Sequence, residues 1–97
     1  MRNEELLIRL TQTQGIAGYE KKVRELIEQE VRPYADELIV DPLGSLIAVK
    51  KGKGGPHSKK IMFAAHMDEI GFMVKKIEED GRLLVCNVGW NWTASAY

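Results

Sequence analysis

The chain has 97 residues, 44% of them apolar and 29% charged, a balance of soluble globular proteins rather than disordered ones. Lys+Arg and Asp+Glu both count 14, so the net charge is zero and no electrostatic case exists for nucleic acid or an anionic membrane. Cys86 is the only cysteine, which excludes an internal disulfide and fits a reducing cytosol.

A chain of this length buries about 60–65% of its unfolded surface, enough for one small domain with a modest core. MRNEELLIRL has no apolar signal core, and no apolar run approaches the ~20 residues of a membrane span. Asn3 is placed to cap a first helix, with Glu4 and Glu5 in its first turn against the positive end of the dipole. Leu6, Leu7 and Leu10 form an apolar stripe, and Gly15 stops the polar TQTQ run. Gly15-Ile16-Ala17-Gly18 reads as a joint between helices, with glycine supplying a positive φ. Tyr19 to Val31 is the clearest helix. Tyr19, Val23, Leu26, Ile27 and Val31 share one face, while Glu20–Arg24, Lys21–Glu25 and Arg24–Glu28 pair at i,i+4 on a solvated face. Pro33 is expected to end it by pushing Arg32 out of the helical region.

Glu37 to Val40 and Ser45 to Lys50 read as two strands of a hairpin around the turn Asp41-Pro42-Leu43-Gly44. Residues 51 to 60, KGKGGPHSKK, form an exposed loop. GKGG lacks the spacing of a phosphate loop, and His57 reads as a solvated side chain. Further on, Ile70 to Glu78 and Arg82 to Val88 form a second hairpin around Glu79-Asp80-Gly81. Met62, Met67 and Met73 read as gap-filling core residues, and Cys86 as a small buried hydrophobe. Trp90 and Trp92 either cover an apolar edge or are exposed.

The stretch Lys60 to Gly71, KIMFAAHMDEIG, organises the rest. Ile61 to Ala65 is an uninterrupted apolar run, the pattern of an inner strand buried on both faces of an α/β sheet. Ligands in such sheets lie beyond the carboxyl ends of strands, where His66 stands. Asp68 follows at i+2, on the same side of an extended chain. A neutral imidazole is a common metal ligand, and a carboxylate accepting its second N–H fixes its tautomer and aim. A histidine at the end of an apolar run, taken alone, is more often a core residue satisfied by backbone.

AAHMDEIGFMV resembles the segment that carries the first metal-ligand histidine of the glutamyl and deblocking aminopeptidases, which build tetrahedral dodecamers. GIAGYEKKVRELI and DPLGSLIAVKKGKGG fall in that family's order, so the resemblance covers most of the chain. It implies an α/β fold: two N-terminal helices and strands of a zinc-peptidase-like sheet, followed by a β-hairpin that begins an inserted β domain. The implied division is 1–68 for the N-terminal part of the metallopeptidase catalytic domain and 69–97 for the start of the inserted assembly domain. It also implies that the GIAG joint lies near the active-site side of the sheet.

For the site, the resemblance implies His66 as a metal ligand and Asp68 as the catalytic-site residue that orients it. Glu69 belongs to the motif without a catalytic role. The whole enzyme would use two divalent ions, zinc or cobalt, of which this chain alone holds at most one, weakly. It would be a cytoplasmic homo-oligomer acting on peptides, with no nucleic-acid or membrane partner. Family members are several times longer, so the chain is expected to be a fragment or an interrupted reading frame. NVGWNWTASAY follows the family only to Val88-Gly89-Trp90, and Asn91 to Tyr97 match nothing familiar. The alternatives are a non-catalytic truncated product or interaction module, a related co-catalytic carboxypeptidase or deacylase, or a member carrying a glucanase label. Adjacent acids at 68 and 69 give that last reading no support, because glycoside hydrolysis needs carboxyls about 5–9.5 Å apart across a sugar.

Overall fold

The computed structural model describes residues 2–89. Helix α1 spans Asn3–Gln12, α2 Lys21–Val31, and a single 3-10 turn Arg32–Tyr34. Strands β1 (Glu37–Val40) and β2 (Leu46–Val49) pair antiparallel, as do β3 (Gly71–Ile77) and β4 (Leu83–Val88). Among the described residues the fold is therefore α/β, two helices and two separate two-stranded sheets.

Local chemistry sets most boundaries, with four departures from the sequence reading. Asn3 lies inside α1 and Arg2 holds the cap position, because Glu5 Oε2 accepts the Arg2 backbone N–H at 3.2 Å. Helix α2 begins at Lys21 rather than Tyr19. Gly18 turns the chain at φ +85°, and the Glu20 carboxylate accepts its N–H at 2.7 Å. Arg32 stays helical at φ −50°, ψ −44°. Pro33 ends the α-helix by its missing N–H instead, and the backbone continues as the 3-10 turn. Of the charged pairs, Lys21–Glu25 spans 3.8 Å, while Glu28 pairs with Arg32, and Arg24 reaches across to Gly44.

Both hairpin turns have the expected chemistry. Asp41 Oδ1 accepts the N–H groups of Leu43 and Ser45 at 2.9 and 2.8 Å, and Gly44 takes φ +91°. Gly81 takes φ +86° between β3 and β4, beside an Arg82–Asp80 contact of 2.7 Å. Register runs Val74↔Val85 and then Lys76↔Leu84, so Lys75 is the extra residue of a β-bulge. The bulge interrupts the simple alternation read from Ile70 onward.

The core is small. Among the described residues, Val23 and Leu26 on α2 are the buried apolar side chains, 4% and 7% exposed. The expected interior strand at 60–66 is absent: Ile61 to His66 form no ladder, and Phe63 is 95% exposed. A strand buried on both faces needs a neighbour on each side, and the described residues pair β1 only with β2 and β3 only with β4. For the same reason Met62 and Cys86 are exposed rather than core, and Met73 lies on an open hairpin face. Trp90, Trp92 and the tail lie outside the described residues. The radius of gyration, 18.3 Å, exceeds the ~13 Å of a compact 100-residue domain.

So much open apolar surface sets the solution behaviour, since contiguous patches of this kind drive association. The purified chain is expected to self-associate in sedimentation velocity, with the distribution shifting to larger species as concentration rises. A concentration-independent monomer that melts cooperatively would contradict this.

Candidate metal-ligand site

The site begins with a joint. Gly15 accepts the Glu69 N–H at 2.8 Å, and Ile16 and Glu69 form an isolated parallel bridge. Gly15 is itself buried, because a Cβ there would lie 2.8 Å from Val23 Cγ1. A Cβ on Gly71 would overlap Ile16 Cγ2. Two glycines far apart in sequence, Gly15 and Gly71, thus let the GIAG joint seat directly on the HMDEIG segment. The joint is the turn that the sequence suggested, with positive φ at Gly18, and it is bridged to Glu69.

That clamp leaves His66 outside the packed region. Its side chain is 84% exposed, against 39% for Asp68. The ring Nδ1 lies 3.0 Å from Asp68 Oδ1 and 2.9 Å from the Asp68 carbonyl oxygen. Both are acceptors, so Nδ1 carries the proton and donates. In the neutral ring, Nε2 then keeps its lone pair. The two residues border a recess of about 200 Å³ whose other lining includes Glu20 and the turn residues Leu43, Gly44, Ser45 and Leu46. A larger recess of about 680 Å³ is lined by Ile16, Tyr19, Lys21, Lys22, Glu69 and Phe72.

Among the described residues, no three His, Cys, Asp or Glu side chains come together as a metal cluster. The donor chemistry present fits one ligand position, since imidazole suits zinc and several other transition metals. His57 is exposed in its loop, as expected. Two contributors were not evident from the sequence. Arg24 Nη1 donates to the Gly44 carbonyl at 3.2 Å, and Gly15 supplies the carbonyl that holds Glu69.

The M42 glutamyl aminopeptidase family model matches residues 44–96. The chain belongs to the M42 family. Its M42 resemblance thus runs beyond Trp90, past where the sequence reading had ended it. A protein of Acetivibrio thermocellus, provisionally named an aminopeptidase, is 52% identical over 85 residues, 88% of this chain and 24% of that protein. The crystal structure of a TET aminopeptidase from a marine-sediment Thaumarchaeota archaeon matches with TM-score 0.79 and 36% identity, covering 94% of this chain and 24% of that one. A Thermotoga maritima structure titled as an endoglucanase matches with TM-score 0.74 and 43% identity, covering 86% and 26%. The chain spans about a quarter of the length of the relatives it matches.

The joint makes a sharp prediction. Gly15→Ala sets a methyl against the stiff, buried Val23 and lifts the Gly15 carbonyl from Glu69. Hydrogen exchange of the Glu69 amide is expected to speed up about tenfold, a loss of about 1.4 kcal/mol, with the β3–β4 amides unchanged. Equal exchange rates in both proteins would show that the clamp is not as described.

Proposed function

We propose that this chain is the N-terminal portion of a cytoplasmic, metal-dependent aminopeptidase that releases N-terminal residues from peptides. Residues 1–68 contribute to the catalytic domain and 69–97 open the inserted assembly domain, in an enzyme that forms a homo-oligomer. Membership of M42 supports peptide hydrolysis. The observation that supports the site assignment is the His66–Asp68 geometry, with Nδ1 occupied at 3.0 Å.

In this reading His66 is a metal ligand through Nε2. Asp68 holds the ring in the tautomer that makes this possible. A pair of zinc or cobalt ions, when bound, polarises the scissile carbonyl and lowers the pKa of an attacking water. Catalytic zinc sites use about three protein ligands, so one imidazole holds a metal weakly and the chain by itself is inactive. Asp68 is engaged with His66, which leaves it unsuited to the independent carboxyl role of a glycosidase.

The test uses two proteins. The 97-residue chain, given Zn²⁺ or Co²⁺ and aminoacyl p-nitroanilides, is expected to show no turnover. A chimera carrying this chain in place of the matching quarter of the TET aminopeptidase is expected to turn over. There, His66→Ala should lower kcat/KM by a hundredfold or more, and Asp68→Asn by about 10–100-fold with weaker metal retention. Turnover by the chain alone, or a chimera indifferent to His66→Ala, would refute the assignment.

A further inference from the structure

The recess beside His66 has two walls, and both are set from consecutive residues of α2. One wall is Ala65 to Asp68. It is held through the Glu69 N–H on Gly15, and Gly15 rests against Val23. The other wall is Leu43 to Leu46. It is held through the Gly44 carbonyl, which accepts Arg24 Nη1 at 3.2 Å. The fit there is close: a Cβ on Gly44 would come within 3.0 Å of the same nitrogen. Within the turn, Asp41 secures the amides of Leu43, Gly44 and Ser45, so the turn moves as a unit. Arg24 is half-buried and is the side chain that ties this unit to the helix.

We propose that Arg24 is a positioning residue that sets the width of the recess in which His66 stands, acting through Gly44. The inference rests on the reading of His66 as the ligand of a peptidase site. A peptide bound at that ligand would pass between the two walls. Leu43, 93% exposed at the tip of the turn, is an apolar side chain that the wall offers to it. Losing Arg24 leaves the ligand and its orienting acid intact but lets the opposite wall drift. Substrate binding therefore weakens while the chemistry is spared.

Hydrogen exchange read by mass spectrometry on the full 97-residue chain tests the anchoring. Arg24→Ala is expected to speed exchange at Leu43–Ser45 by about threefold or more, the scale of one lost hydrogen bond, and to leave β3–β4 unchanged. Gly44→Ala, strained at φ +91° and crowding the guanidinium, should give the same signature from the other side. In the TET chimera, Arg24→Ala is expected to raise KM about threefold to tenfold with kcat within twofold and bound metal unchanged, and Arg24→Lys to recover most of the loss. Unchanged exchange at Leu43–Ser45 overturns the inference, as does a kcat loss at constant KM. If His66→Ala leaves the chimera active, the underlying site reading has failed; if His66→Ala abolishes activity and Arg24→Ala does nothing, only this inference has.

Discussion

The hydrogen bond from the Glu69 N–H to the Gly15 carbonyl is the contact on which the arrangement depends. It is 2.8 Å long, and together with the close approach of Ile16 to Gly71 it joins two distant parts of the chain. On one side are the helices with the small core of Val23 and Leu26. On the other is the segment that carries His66 and leads into β3. The bond forms only because Gly15 has no side chain to strike Val23. A single glycine thus decides whether the imidazole has a fixed address relative to α2.

From that bond the rest of the site follows by geometry. The chain leaves Glu69 in a fixed direction, so Asp68 and His66 sit at known positions along it. The imidazole then finds two acceptors from one residue, the carboxylate and the carbonyl of Asp68. This occupies Nδ1 and leaves the lone pair of the neutral ring on Nε2. Arg24 and the Asp41–Ser45 turn complete the opposite wall. The exposed apolar run at 61–65 lies just before the site, so the region that is least covered directly precedes the region with the most chemistry.

The two hairpins were legible to within a residue or so, because turn chemistry is local. Asp41 with Gly44, and Asp80 with Gly81, announce their turns in the sequence and take them in the structure. Helix α2 was legible from its apolar spacing. The His66–Asp68 contact was legible because i and i+2 face the same way in extended chain. The run 61–65 misled for a physical reason. An apolar pentad states that it prefers cover on both faces, but not that the cover lies within the same stretch of chain. Cys86 and Met62 misled for the same reason. The Arg24–Gly44 and Gly15–Glu69 contacts were not legible, since each joins residues far apart in sequence. Helical spacing had assigned Arg24 to Glu20 and Glu28 instead.

The central claim is that His66 offers Nε2 because Asp68 holds Nδ1. Nitrogen-15 spectroscopy of histidine-labelled chain tests it most directly, with the two ring systems, His57 and His66, separated by a His66→Ala control. The account predicts that neutral His66 carries its proton on Nδ1, that added Zn²⁺ perturbs Nε2, and that Asp68→Asn relaxes the tautomer toward a mixture. A ring protonated mainly on Nε2, and unaffected by Asp68→Asn, would contradict it.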